Sequence, residues 1–169
     1  MPSRVKTPTE KLAVTSMMIA LSFAFGFLEN LIPLSVGIPG VKLGLANIPV
    51  MITLYMFGTV YAIPVLIVRI VLAAATFGNA SSFVFSLTGG ILSFIVMCIL
   101  KRTGFSITGV SMGGAVTHNM GQLAAAAIVT GTNGLIYYLP VLLISGLVAG
   151  AINGMLTGAI ISRISTKTN

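Results

Sequence analysis

Arg69, His118 and Gln122 are the side chains of this sequence best placed to hold a solute. Each lies inside a long apolar run, where a charged or polar group is costly unless it faces a cavity or a partner. Arg69 sits about eight residues into the run 61–77, roughly 12 Å deep at 1.5 Å per residue. His118 is comparably deep in the run 112–131. Gln122 follows four residues later, on the same helical face, and Asn119 adjoins the pair. A second polar group brackets the segment between the first two runs: Glu29 and Asn30 on one side, Lys42 and Asn47 on the other. Lys42 and Arg69, with His118 and a single nearby acid, favour an anionic or acceptor-rich solute. Simpler roles are open to each. Arg69 can snorkel or pair with carbonyls, His118 and Gln122 can hydrogen-bond between helices, Glu29 can pair with Lys42, and Asn153 can serve packing alone.

The chemistry that is missing narrows the function. The sequence has no aspartate, and its only acids are Glu10 and Glu29. It carries no Gly-Lys-Ser/Thr phosphate loop, so ATP hydrolysis by that route is excluded. One histidine, one cysteine and two scattered glutamates make no convincing metal site. No motif supports a serine nucleophile acting with His118. This is not the inventory of an enzyme, and no cofactor or metal is expected. Cys98 lies in an apolar run and reads as a small buried hydrophobe. The isoelectric point near 10.1 could suggest nucleic acid, but no basic cluster with interleaved aromatics is present.

The elements that must position these groups are helices in a bilayer. Of 169 residues, 56% are hydrophobic and only 7% charged, far below the roughly 25% charged of an ordinary soluble domain. Six runs predict an all-α, polytopic bundle in one domain over 1–169, with transmembrane helices at about 12–28, 44–57, 61–77, 83–100, 112–131 and 137–161. Residues 1–28 read as a retained first helix and not a cleaved leader, because no polar cleavage region follows the apolar stretch. The segment 29–43 is apolar but broken by Pro33, Gly37, Pro39 and Gly40, which suits a lid over one mouth of the bundle. Arg4, Lys6 and Lys11 precede the first run, Lys101 and Arg102 follow the fourth, and Arg163 and Lys167 follow the sixth. Six spans with both termini cytoplasmic put all seven on the inner face, as the positive-inside rule requires; five spans would not. The expected location is the cell membrane, crossed several times. Small residues recur every fourth position on three runs: Gly146, Gly150, Gly154 and Gly158; Gly113, Thr117, Gly121 and Ala125; and Ser16, Ala20 and Ala24. Such stripes let helices approach closely in lipid.

The segment Pro39-Gly40-Val41-Lys42-Leu43-Gly44-Leu45-Ala46-Asn47-Ile48-Pro49-Val50-Met51 resembles the loop-to-second-helix signature of the substrate-binding S components of energy-coupling factor (ECF) transporters. It is most similar to the membrane family called Gx transporters, often labelled heptaprenyl diphosphate synthase component I, and the similarity runs over nearly the whole chain. The resemblance implies a pocket that captures a vitamin or related micronutrient from outside, among Glu29, Lys42, Asn47, Arg69, His118, Asn119 and Gln122. It also implies docking through Ser16, Ala20 and Ala24 onto a transmembrane T subunit that works with two ATPase subunits, so that ATP is used by the partners and not by this chain. The sequence departs from commoner members in the turn Phe57-Gly58-Thr59, where they have Gly-Pro. It also carries Arg69 in the third helix, where an acid is frequent. A second function stays open beside transport: a non-catalytic membrane partner in polyprenyl diphosphate synthesis. Trans-prenyl synthases bind magnesium through aspartate-rich motifs, which this chain lacks.

Overall fold

The computed structural model describes residues 7–31 and 43–166. It is all-helical, with six α-helices in the order α1 Pro8–Leu31, α2 Asn47–Met56, α3 Thr59–Phe77, α4 Ala80–Arg102, α5 Ile107–Thr130 and α6 Leu139–Thr166. A short 3₁₀ segment, Asn133–Tyr138, leads into α6. Among the described residues there are no strands. Lys42 and nearly all of the proposed lid lie outside the described residues.

Three helices, α1, α4 and α5, begin about three to five residues before their apolar runs, for one reason. A helix continues past the bilayer-matched segment until a side chain satisfies its free N–H groups. Thr7 and Glu10 form a reciprocal capping box that starts α1 at Pro8. Asn79 and Ser82 do the same for α4, and the Ser106 hydroxyl accepts from Gly109 N–H to start α5.

Four segments are long and apolar enough to cross a membrane: Pro8–Leu31, Thr59–Phe77, Ala80–Arg102 and Gly134–Thr166. Their outward faces expose large apolar side chains such as Met17, Val68, Ile95, Ile99, Val148 and Met155, the surface of a membrane protein. α5 has the length of a span, about 36 Å at 1.5 Å per residue, but its glycines and polar residues turn inward. α2 differs from its predicted form. It has ten residues, about 15 Å, or half the roughly 30 Å hydrocarbon core. Every residue from Ile48 to Leu54 is buried. A helix apolar all round belongs inside a bundle, and Val50, Met51 and Leu54 form the core with Val65, Leu66, Ile70, Phe94, Met97 and Val110.

α5 lies between α4 and α6, and glycines set both contacts. On α6, a Cβ at Gly150 would fall 2.7 Å from Met112 Cα, and one at Gly154 would fall 2.6 Å from Thr108 Cα. Facing α4, a Cβ at Gly121 would fall 2.9 Å from Gly89 Cα. Only hydrogen fits at these points. α1 leans on the other side through Thr15 and Ser22, both buried, with Ser22 Oγ donating to Ala46 O at 2.5 Å. Its Ser16, Ala20 and Ala24 face outward.

The alternating helices collect the described cations other than Arg69 at one end of the bundle. There Lys11 Nζ lies 5.6 Å from the Tyr61 ring centroid and Lys101 Nζ 4.9 Å from that of Tyr55, both cation–π contacts. Lys101 also donates to Leu54 O at 2.5 Å, capping the carboxyl end of α2 with positive charge where the helix dipole favours it. Gly58, at φ +91°, makes the tight α2–α3 turn in a backbone region open chiefly to glycine.

Candidate solute-binding cavity

Because α2 fills only the half of the bundle near the basic end, the other half is left partly hollow. The space above Asn47, the first residue of α2, is a cavity of about 120 Å³ as measured for the centre of a water-sized sphere. Six helices contribute to its wall: α1 through Gly26, Glu29 and Asn30, α2 through Asn47, α3 through Arg69 and Phe77, α4 through Ser86, α5 through Ala115, His118, Asn119 and Gln122, and α6 through Gly146 and Asn153.

The polar groups are held by one another and by backbone. Arg69 Nη2 donates to Asn47 Oδ1 at 2.7 Å, so the guanidinium is anchored over the amino end of α2. Its Nε is buried and makes no hydrogen bond. Asn119 Nδ2 donates to Leu142 O at 2.6 Å, tying α5 to α6. Asn153 is buried on α6, and its Nδ2 donates to Leu43 O at 2.6 Å; its Oδ1 is buried with no hydrogen-bond partner. Leu43 can meet Asn153 because Gly44 adopts φ +74°, a left-handed conformation. Gly44 N–H in turn donates to Glu29 Oε1 at 2.5 Å. α2 begins without a side-chain cap at Ala46, which leaves its positive dipole end directed at the cavity.

Of the residues singled out from sequence, the structure brings Glu29, Asn47, Arg69, His118, Asn119 and Gln122 around this one space. Lys42 lies outside the described residues, as does its pairing with Glu29. The Glu29 carboxylate accepts from the Gly44 backbone N–H, and so fixes the entry to α2. Asn153, whose place in the sequence suggests packing alone, and Ser86, which nothing in the sequence singles out, also line the cavity. The available signal was a carboxamide on the small-residue face of a span, next to Gly154. Ser16, Ala20 and Ala24 lie apart from the cavity, on the outer face of α1.

A guanidinium with a spare buried donor and an uncapped helix end can hold an anionic group, while the spare carboxamide oxygen of Asn153 accepts only from a hydroxyl or N–H of a solute. Half-helices ending at mid-membrane with their amino ends toward a solute are a recurrent device of transport proteins. Fold and cavity together define a helical membrane protein with a small polar cavity lined by all six of its helices. The chain belongs to the heptaprenyl diphosphate synthase component I family, whose model matches residues 18–160. No curated protein and no solved structure matches it.

Proposed function

We propose that this chain is a substrate-binding membrane subunit, the S component of an ECF-type importer. It captures a small vitamin-like or anionic organic solute from outside the cell membrane and delivers it when docked on a T subunit carrying two ATPases. It is read as a binding subunit and not an enzyme; ATP is used by its partners. The observation that carries the reading is the cavity above α2, where Arg69, Asn47 and Asn153 present polar groups inside an apolar bundle. Support also comes from the described basic residues other than Arg69, namely Lys11, Lys101, Arg102 and Arg163, which lie away from the cavity at the ends of α1, α4 and α6. By the positive-inside rule that end is cytoplasmic, and the cavity then sits in the outer half. The outward Ser16, Ala20 and Ala24 stripe supplies a face for the partner.

Mass spectrometry of small molecules retained by the detergent-solubilised protein tests this reading directly. A vitamin-like or other organic anion is expected. The variant Arg69→Ala should release it or weaken binding roughly 10- to 100-fold, since hydrogen bonds to charged groups contribute about 1.5–3 kcal/mol. Unchanged retention in that variant would remove the anionic-pocket reading.

A second reading has one observation in its favour, the family description itself, which speaks of a component of heptaprenyl diphosphate synthase. In that case the chain is a non-catalytic membrane partner, because it lacks every aspartate that a magnesium–diphosphate site would draw on. Co-purification separates the two: an ATPase-bearing complex supports import, and a soluble prenyl-transferring subunit supports synthesis.

A further inference from the structure

The polar cavity is small for an organic solute. Sites for drug-sized ligands run from about 300 to 1,000 Å³, whereas the space around Arg69 is about 120 Å³. A second hollow of about 330 Å³ adjoins it, wedged between α4, α5, the 3₁₀ segment and the start of α6. Three residues, Ser86, Asn119 and Gln122, line both spaces, so their side chains form the sill between them. Beyond that sill the lining is mainly apolar, with Phe85, Leu123, Ala126, Leu135 and Leu142 beside Ser82 and Tyr138. A further hollow, on the α3–α4 side, shares Asn30, Ile70, Ala73, Phe77 and Ser86 with the polar cavity, but its wall is as polar as it is apolar. The side chamber beside α5 is therefore the apolar extension of the polar site.

Resting on the reading of the cavity as a solute site, we infer that the solute is an amphipathic anion held in two parts. A compact anionic head fits against Arg69 and the amino end of α2, where Arg69 Nε is an unused buried donor. An apolar body passes the Ser86–Asn119–Gln122 sill into the side chamber. The two spaces divide the recognition: hydrogen bonds select the head, and buried area selects the length and bulk of the body. The occupant is a free solute and not a bilayer phospholipid, because the head site lies between the helices, with residues of all six in its wall.

The test uses full-length protein in phosphatidylcholine nanodiscs, titrated calorimetrically with ethyl, butyl and hexyl phosphate and with alkyl carboxylates of matching chain length. Affinity should rise roughly three- to fourfold per added methylene, the increment expected for burying each CH₂. Ala126→Phe, which fills the side chamber, should flatten that series. Leu135→Trp does the same from the 3₁₀ segment, outside the α4–α5–α6 seam, should the first variant fold poorly. A flat series in the unaltered protein, with Arg69-dependent binding of ethyl phosphate retained, overturns the two-part solute while leaving the anion site standing. An undiminished chain-length slope in both filled variants also overturns it, since the tail then binds elsewhere. Absence of binding by either series overturns this inference and the anionic cavity together. Repeating the titration with phosphatidylglycerol in the nanodisc separates the sources of the anion: loss of hexyl phosphate binding would identify a bilayer lipid as the occupant and overturn the free solute.

Discussion

The small-residue stripes of α6 and α1 share one spacing and meet opposite fates. On α6, Gly146, Gly150 and Gly154 lie against α5 so closely that a Cβ would come within 2.6–2.8 Å of Asn119, Met112 or Thr108. On α1, Ser16, Ala20 and Ala24 point away from the bundle, while the opposite face holds α2 through Ser22 and Gly26. The contrast shows what such a stripe specifies. Small residues at four-residue spacing permit close approach, but they do not name the neighbour. On α6 the chain supplies its own. On α1 it supplies none among the described residues, and in the proposed importer the partner subunit fills that role.

Breaking the covered stripe should have the largest effect. Gly150→Leu or Gly154→Leu sets a branched side chain against the α5 backbone, which has nowhere to retreat because Gly121 and Gly89 already bring α5 against α4 on its far side. Overpacking of this kind costs about 1–3 kcal/mol or more. The thermal midpoint of the purified protein should fall about 6–12 °C for a loss near 3 kcal/mol. Unaltered melting in both variants would mean that the α5–α6 seam is not as close as described.

The open stripe should behave in reverse. Ala20→Leu together with Ala24→Leu adds apolar bulk to a surface already exposed, so stability should stay within about 0.5 kcal/mol. Co-purification with an ATPase-bearing T subunit should be lost, or weakened at least roughly thirtyfold, corresponding to about 2 kcal/mol. Survival of the complex would show that the stripe is not the docking face. A fall in stability matching that of the α6 variants would erase the distinction between the two stripes altogether.

The comparison also explains what could be read from sequence. Apolar runs located all six helices because a bilayer demands them, but helix ends lay in polar capping residues such as Thr7, Asn79 and Ser106, which hydropathy does not see. The depth of α2 was illegible for a different reason. A run of ten to fourteen apolar residues fits a short span or a buried half-helix equally, and packing decides. Arg69, His118 and Gln122 stood out because a polar group in an apolar run needs a reason. Asn153 did not, because the glycines around it offered a packing role that was true and incomplete: its carboxamide holds Leu43, and the residue also lines the cavity.

Gly158 offers the finest test, with the smallest effect. It continues the α6 stripe by one turn, and nothing in sequence sets it apart from Gly154. Yet Gly154 already lies against Thr108, at the start of α5, so α6 has by then nearly outrun its neighbour. A Cβ at Gly158 would meet no atom within 4 Å. Gly158→Leu should therefore change stability by no more than about 0.5 kcal/mol, or raise it slightly, since leucine is the better helix former by under about 1 kcal/mol. Thermal melting beside Gly154→Leu measures the difference on one scale. Equal destabilisation by the two substitutions would mean that the seam runs a full turn further than α5 reaches. A Gly158→Leu protein that melts normally but no longer binds its partner would extend the docking surface from α1 to the exposed end of α6.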